Sequence, residues 1–106
     1  MTNKILVTGG DGRFAKVLAK YNKSLNLFFV NKRECNILNK NSIDKAIKKV
    51  KPKMIFHCAG LSRPMSIHES NIEKSIDTNI IGTANIVKAC KKKKYKTNLF
   101  FYWIRL

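Results

Sequence analysis

The sequence predicts an α/β fold in which a parallel sheet carries helices on both faces. Short apolar runs of strand length alternate with longer segments whose apolar residues recur at helical spacing. The connections between these segments are short, and the predicted order is β-α-β-α-β-α-β. Such alternation is typical of parallel sheets with right-handed crossovers. With 106 residues, the chain forms one domain at most.

The first half of the chain contains two predicted strands and two predicted helices. The run KILVT at Lys4–Thr8 is almost continuously apolar, as expected of a strand buried on both faces, and LNLFFV at residues 25–30 is a second such run. Asn41 and Asp44 are expected to cap the second helix, which Pro52 ends. The apolar stripes expected to line the two helices are Phe14, Val17, Leu18 and Tyr21, then Ile43, Ala46, Ile47 and Val50.

The second half continues the alternation. KMIFHCAG at residues 53–60 is a predicted third strand, and LFFYWI at 99–104 is a fourth. Between them, Ser70 and Glu73 are expected to form the capping box of a long third helix. The apolar face predicted for this helix consists of Ile72, Ile76, Ile80, Ala84 and Val87.

The charge balance is strongly positive, with 22 Lys plus Arg against 6 Asp plus Glu and a net charge of +16. A field of this size attracts nucleic acid, acidic membranes and phosphorylated ligands. The lysines are spread through nearly every segment, which favours solvated helix faces over a dedicated polyanion site. The sequence offers neither an aromatic stacking platform nor a clustered basic helix, so a nucleic-acid partner is not favoured.

The cysteines indicate a reducing compartment. Cys35, Cys58 and Cys90 lie far apart and form no CxxC pair, which argues against a disulfide framework and against a zinc site. The first apolar run is too short for a signal peptide, and no stretch reaches the length of a membrane span. We therefore predict a cytoplasmic protein without a membrane partner.

A glycine-containing turn, VTGGDGRFAK, follows the first strand and opens the first helix. Gly9 allows a tight turn out of the strand, and Gly12 lets a pyrophosphate approach the backbone. The small side chain of Ala15 allows the helix to pack close to the sheet. The free N–H groups at the start of the helix would then bind the phosphates. The turn lies between a strand and a helix, where this mechanism requires it, and it predicts dinucleotide binding.

The end of the second strand indicates which dinucleotide fits. NAD binders place an acidic side chain there to accept hydrogen bonds from the ribose 2′-hydroxyl. This chain instead has Asn31 followed by Lys32 and Arg33. Arg33, with Lys32, could pair with a 2′-phosphate, which favours NADP and leaves NAD possible. The alternative is that both cations are solvated loop residues.

Three segments together, ILVTGGDGRFAK, FHCAGLSRP and DTNIIGTANIVKAC, resemble the extended short-chain dehydrogenase/reductase superfamily of sugar-nucleotide epimerases, dehydratases and reductases. RECNILNKNSIDKAIKKVKPKMIFHCAG is similar in particular to the dTDP-4-dehydrorhamnose reductase-like branch. The resemblance extends from Lys4 to about Cys90. It implies a truncated Rossmann-type doubly wound sheet, with residues 1–106 as a partial NAD(P)-binding domain.

The resemblance also implies individual site residues. Gly9, Gly12, Arg13 and Phe14 match the pyrophosphate turn. Asn36 and Ile37 fall near the adenine, where the family has Asp in place of Asn36. Ala59, Gly60 and Leu61 match the segment beside the ribose and the nicotinamide. Asn79 matches an asparagine that helps to order the site; a polar residue on an exposed turn is the alternative. His57 and Cys58 point to opposite faces of a strand, so we expect a packed or hydrogen-bonded histidine and no joint metal site.

The family's catalytic residues are not found in this sequence. The family uses a Ser or Thr at the end of the fourth strand and a Tyr-x-x-x-Lys motif on the next helix, in which Lys lowers the pKa of Tyr. LFFYWIRL contains no Ser or Thr, and Leu99 and Leu106 stand four residues after Tyr95 and Tyr102. We therefore predict no catalytic residue in this chain, and a nucleotide-sugar substrate only for a full-length parent.

The final segment, residues 91–106, is predicted to be the aberrant end of a frameshifted gene. The family's fourth strand resembles KLIYFSTxYVY. Residues 97–106 can be back-translated into DNA with one set of A- and T-rich codons. When this DNA is translated from one base later, it encodes LIYFSTGYV. Three readings follow: a cofactor-binding fragment that is inactive alone, a small basic nucleic-acid binder, or an N-terminal half that complements a separate C-terminal half.

Overall fold

The computed structural model describes residues 3–58 and 71–91, with the side chain of Ser75 excepted, and the backbone of residues 100–103. The strands and helices follow the predicted order. They are β1 (Lys4–Thr8), α1 (Arg13–Tyr21), β2 (Asn26–Phe29), α2 (Lys40–Val50), β3 (Met54–His57), α3 (Ile72–Ile76), α4 (Gly82–Cys90) and β4 (Phe100–Trp103). A π-helical turn, Asp77–Ile81, joins α3 to α4, and together they form the α3–α4 helix.

The four strands form one parallel sheet in the order β2-β1-β3-β4. In the register of this sheet, Leu6 of β1 lies between Phe28 of β2 and Ile55 of β3. The chain moves from β1 to β2 on one side and then crosses to β3 on the other. Right-handed crossovers therefore place α1 on one face, and α2 and the α3–α4 helix on the opposite face. The predicted doubly wound parallel sheet is confirmed.

The main core lies between the sheet and the two helical segments α2 and α4. Leu6 and Ile55 contribute from the sheet, Ile43 from α2 and Ile86 from α4, and all four side chains are fully or almost fully buried. The apolar stripe predicted for α2 is confirmed, because its members are Ile43, Ala46, Ile47 and Val50, which are the buried residues of that helix. Burial of these aliphatic side chains is the dominant favourable contribution to the stability of the fold.

The stripe predicted for α1 is wrong in part. Ala15 is buried, and Phe14 and Leu18 are half-buried, but Val17 is 54% exposed and Tyr21 is 68% exposed. Within the described residues, α1 is alone on its face of the sheet. A single helix on a sheet face buries a narrow stripe, so the flanks of its apolar side remain in solvent.

The caps of two helices differ from the prediction. The N-cap of α2 is Asn39, whose Oδ1 accepts hydrogen bonds from the N–H groups of Asn41 and Ser42. The N-cap of α3 is Asn71, whose Oδ1 accepts from the Lys74 N–H at 3.0 Å. In both cases an Asn one or two positions from the expected residue satisfies the first-turn donors, as N-cap side chains do. α2 ends as expected before Pro52.

The α3–α4 helix buries a different face from the one predicted. Its buried residues are Gly82, Asn85, Ile86, Ala89 and Cys90. Ile72, Ile76 and Ile80 of the predicted face are instead 60%, 43% and 64% exposed. Apolar residues recur at helical spacing on two sides of this helix, and the spacing alone does not tell which side meets the sheet.

Several predictions fall on residues outside the described part of the chain. These are Ala59, Gly60 and Leu61, the cap residue Ser70, and most of the segment 91–106, including Tyr95. Within that segment β4 pairs parallel with β3, which confirms the predicted fourth strand. The frameshift remains a prediction. In the described residues, no helix combines the length and the apolar character needed to cross a membrane.

Gly82 supplies a test of the packing between α4 and the segment before α2. A Cβ atom at Gly82 would lie 2.5 Å from Cδ1 of Ile37. We expect Gly82→Ala to lower the free energy of unfolding by about 1 kcal/mol in urea titrations, because overpacking outweighs the gain in helix propensity. In an Ile37→Val background, which removes that Cδ1, the loss should shrink. A Gly82→Ala protein more stable than the parent would contradict this packing.

Candidate functional site

The turn between β1 and α1 has a backbone shape that only glycine adopts easily. Gly9 has a φ of 66°, in the left-handed region that disfavours residues with a Cβ. The Gly12 N–H donates a hydrogen bond to the Gly9 carbonyl at 2.9 Å, which closes the turn directly before α1. A Cβ at Gly12 would lie 3.1 Å from that carbonyl oxygen. The turn is therefore tight, and it presents bare backbone at the carboxyl end of β1.

Gly10 is a site residue that the sequence reasoning missed. Its N–H donates a hydrogen bond of 2.8 Å to the carbonyl of Val30. A Cβ at Gly10 would lie 3.0 Å from that oxygen and 3.1 Å from Cβ of Phe29. Gly10 thus holds the turn against the end of β2. The signal available in the sequence was the second glycine of the TGG triplet.

The first turn of α1 carries backbone donors without a side-chain cap. Gly12 is the N-cap residue and has no side chain to bond them. The first backbone hydrogen bond of the helix runs from the Lys16 N–H to the Gly12 carbonyl at 3.0 Å. The N–H groups of Arg13 and Phe14 precede that bond, at the positive end of the helix dipole. Ala15 is almost completely buried, as its expected packing against the sheet requires.

A second turn follows β2 and presents two cations. Asn31 and Glu34 bond each other reciprocally: the Asn31 N–H donates to Glu34 Oε1 at 3.1 Å, and the Glu34 N–H donates to Asn31 Oδ1 at 3.0 Å. Lys32 and Arg33 lie between them, and both are exposed. Because β1 and β2 are parallel neighbours, this cationic tip and the glycine turn lie at the same edge of the sheet.

The next predicted site residues, Asn36 and Ile37, differ in exposure. Asn36 is half-buried; its N–H donates to Ser42 Oγ at 2.8 Å, and its Oδ1 accepts from the Leu38 N–H at 3.1 Å. The Ile37 side chain is buried against Gly82, and its carbonyl accepts a hydrogen bond from Asn85 Nδ2 at 2.9 Å. The structure thus uses Ile37 as a core contact, and the contact of both residues with adenine stays a prediction.

A buried hydrogen-bond chain lies beneath the carboxyl ends of β1 and β3. Thr8 Oγ1 is hydrogen-bonded to His57 Nδ1 at 2.8 Å, and His57 Nε2 to Thr83 Oγ1 at 3.0 Å. The Cys58 N–H donates to Thr8 Oγ1 at 3.0 Å. Burial lowers the pKa of His57 to about 4, so the imidazole is neutral at physiological pH. The predicted hydrogen-bonded histidine is confirmed.

The remaining candidates contribute little reactive chemistry. Burial raises the pKa of Cys58 to about 11, so its thiol is protonated at neutral pH and a poor nucleophile. Within residues 3–58, 71–91 and 100–103, no group of three His, Cys, Asp or Glu could hold a metal ion. Asn79 lies half-buried in the π-helical turn, a type of irregularity that often marks functional positions. The role of Asn79 stays a prediction.

The glycine turn lies at the point where the chain changes direction across the sheet. The connection from β1 leads to β2 on one side, while β3 pairs with β1 on the other. In open parallel sheets, ligands bind in the crevice at this reversal point. A parallel doubly wound sheet with a glycine turn at this place defines the class of the protein, which is a Rossmann-type α/β fold.

Comparison with known proteins identifies the family. The model of the NAD dependent epimerase/dehydratase family matches residues 5–102, and the chain belongs to this family. This membership confirms the relationship to the epimerases, dehydratases and reductases predicted from the sequence. A search of curated proteins gave no match.

Solved structures of this fold are similar over most of the chain. The dTDP-4-dehydrorhamnose reductase of Bacillus anthracis in complex with NADP is 22% identical with a TM-score of 0.78, over 86% of this chain and 33% of that one. UDP-glucose 4-epimerase of Thermus thermophilus in complex with NAD is 17% identical with a TM-score of 0.72, over 87% and 35%. RMD of Pseudomonas aeruginosa complexed with NADPH is 20% identical with a TM-score of 0.71, over 96% and 34%. The chain therefore spans about a third of the length of these structures.

The buried His57 predicts an acid-sensitive fold. Its pKa is about 4 when folded and near 6.5 when exposed, so below pH 6.5 the unfolded chain binds a proton that the folded chain excludes. The free energy of unfolding should fall as the pH drops from about 6.5 to about 4, by about 3 kcal/mol in total from this group. Urea titrations across this pH range measure the effect.

The control for this prediction is His57→Gln, which has no titrating ring. The difference in unfolding free energy between parent and variant should change by about that amount over the same range, because the carboxylates titrate in both proteins. If His57→Gln does not fold, the pKa of His57 is read from its ring proton signals by NMR in the parent. A measured pKa near 6.5 would contradict the buried, neutral imidazole.

Proposed function

We propose that this chain binds a nicotinamide dinucleotide at the carboxyl edge of its sheet, with NADP preferred over NAD. The observation that carries the proposal is the uncapped start of α1 behind the Gly9–Gly12 turn. Donors without a side-chain acceptor, at the positive end of a helix, suit a diphosphate. The ligands named for similar structures, NADP, NADPH and NAD, support a nicotinamide dinucleotide.

The pyrophosphate would lie over Gly12, where the absence of a side chain allows the phosphate oxygens to reach the backbone. The Arg13 and Phe14 N–H groups would donate to it. Gly10 contributes indirectly, since its bond to the Val30 carbonyl fixes the turn against β2. The adenosine end would then extend past the end of β2 toward Asn36, and the nicotinamide end toward Ala59, Gly60, Leu61 and Asn79.

The preference for NADP rests on the turn after β2. Asn31 and Glu34 occupy each other in reciprocal hydrogen bonds, and Lys32 and Arg33 between them remain exposed. A guanidinium matches a phosphate with two parallel hydrogen bonds, so Arg33 would hold the 2′-phosphate and Lys32 would add charge. The similar structures include complexes with both cofactors, so they favour neither.

We further propose that the chain as given binds the cofactor without turning over a substrate. The family's Ser or Thr and its Tyr-x-x-x-Lys motif are not found in the 106 residues. A nucleotide-sugar substrate and its reduction, epimerisation or dehydration belong to a full-length parent about three times as long, to judge from the similar structures. The widely spaced cysteines favour a cytoplasmic location.

The first test addresses the phosphate turn. Gly12→Val places a branched side chain where the diphosphate would lie, so NADPH affinity measured by calorimetry should fall at least about ten-fold, which corresponds to about 1.4 kcal/mol. This substitution keeps the net charge, so it separates a specific site from attraction by the positive field. Val17→Ala, in the exposed part of α1, is the control and should bind as the parent does. Equal affinities in all three proteins would refute the site.

The second test addresses cofactor choice. Arg33→Ala should weaken NADPH binding about ten-fold or more, since a hydrogen bond to a charged group contributes about 1.5–3 kcal/mol. NADH binding should change little, because NADH has no 2′-phosphate. Lys23→Ala removes the same charge from another exposed loop and serves as the control. A parallel loss for NADPH and NADH would place Arg33 outside the 2′-phosphate site.

A further inference from the structure

The strand β2 is an edge of the sheet among the described residues. β1 pairs with it on one side, and no described strand pairs with it on the other. The Val30 N–H donates to the Val7 carbonyl at 3.0 Å, so the backbone groups of Val30 face β1. Because these groups alternate in direction along a strand, those of Phe28 also face β1, whereas the N–H and C=O groups of Leu27 and Phe29 point to the open edge. An open edge of this kind can pair with another chain.

A groove lies beside this edge, between β2 and α2. It has a volume of about 840 Å³, and its lining includes Phe28 from β2 and Ala46 and Val50 from α2. Phe28 is half-buried and packs against the main core. The floor of the groove is therefore apolar, and the side chains that an added strand placed on this face of the sheet would cover it.

Lysines surround the apolar floor. Lys45 and Lys49 of α2 line the groove, and both are exposed. Lys4 Nζ lies 5.6 Å from the centre of the Phe28 ring. Among the described residues of the lining, the acidic one is Glu34, whose carboxylate accepts a backbone N–H at 3.1 Å. The groove therefore favours an occupant that combines apolar surface with negative charge.

We propose that the β2 edge binds an extended segment of an acidic partner protein, which adds a strand to the sheet and places glutamates at alternate positions on the groove side. The backbone groups of Leu27 and Phe29 would pair with that strand, as in other complexes formed by strand addition. Alternate residues of a strand are about 6.6 Å apart. Lys45 and Lys49 lie four residues apart on a helix, a rise of about 6 Å, so two glutamates separated by one residue match them. The proposal goes beyond cofactor binding and does not depend on it.

The same edge of a second copy would be a poor occupant. Residues 12–33, which contain β2, include no Asp or Glu, and Lys23 and Lys32 lie close to the ends of the strand. Two such edges would bring cations together in a chain that already has a net charge of +16. The charge of the groove thus favours a different protein as the partner.

Two synthetic peptides of equal charge test the proposal on the nuclease-treated full chain. One alternates valine and glutamate, Val-Glu-Val-Glu-Val-Glu-Val, with both ends blocked. The other has the same composition in blocks, Glu-Glu-Glu-Val-Val-Val-Val. In fluorescence anisotropy the alternating peptide should bind at least about ten-fold more tightly. The positive field attracts both peptides alike, so equal affinities would overturn the proposal.

Charge reversal on α2 locates the site. Lys49→Glu should weaken binding of the alternating peptide several-fold, because it places a carboxylate beside a bound glutamate. Lys48→Glu changes the net charge equally at an exposed neighbour that does not line the groove, and it should bind nearly as the parent does. Equal losses in the two variants would overturn the site. NADPH titration of Lys49→Glu should give the parent's affinity, so failure of this proposal and failure of cofactor binding are distinguished.

Hydrogen exchange measured by NMR gives a readout that needs no substitution. With the alternating peptide bound, exchange of the Leu27 and Phe29 N–H groups should slow, because new backbone hydrogen bonds protect them. The Phe28 N–H faces β1 in both states and is the internal reference. Unchanged exchange at Leu27 and Phe29 under saturating peptide excludes strand addition. Protection of these two groups in the free chain at high concentration would assign the edge to a second copy and likewise overturn the proposal.

Discussion

The candidate site depends above all on the close fit between the turn after β1 and the end of β2. The hydrogen bond from the Gly10 N–H to the Val30 carbonyl leaves little room for a Cβ at Gly10, which would lie 3.0 Å from that carbonyl oxygen. Gly9 makes this approach possible, because its positive φ turns the chain sharply as it leaves the sheet. The start of α1 is consequently held over the edge of the sheet, and the donors of its first turn face the space above Gly12. Without this fit, the uncapped helix end would be an ordinary unsatisfied terminus.

The other side of β1 is held by polar contacts. Thr8, the last residue of β1, is bonded to His57 at the end of β3, and His57 reaches Thr83 of α4. Both ring nitrogens of His57 are hydrogen-bonded. A neutral imidazole can make both bonds, because one nitrogen donates and the other accepts. A largely buried polar chain of this kind fixes a geometry more sharply than apolar packing, since each buried member must keep its partner. The glycine turn is thus positioned from β2 on one side and from β3 and α4 on the other.

Much of this architecture could be predicted from the sequence, and the failures share a physical cause. Continuous apolar runs identified the strands, and the glycine turn was found because its spacing has a steric purpose. Gly10 was missed because its role is a contact with β2, which is distant in sequence. The face of the α3–α4 helix was predicted wrongly because periodicity shows which residues share a side, not what that side meets. Ile80 and Ile86 satisfy the same pattern, and only the position of the sheet separates them.

Two exposed apolar surfaces lie on opposite faces of the sheet, and the charges around them differ. On the α1 face, Val17 and Tyr21 are exposed beside a helix that is alone on its side among the described residues. No acidic residue of α1 offers a partner to the lysines of that helix, so a second copy would meet it with like charge. On the opposite face, the isoleucines of the α3–α4 helix are flanked by both signs of charge. In a chain with a net charge of +16, repulsion opposes self-association in general, and the local charges around each apolar surface decide where that repulsion is weakest.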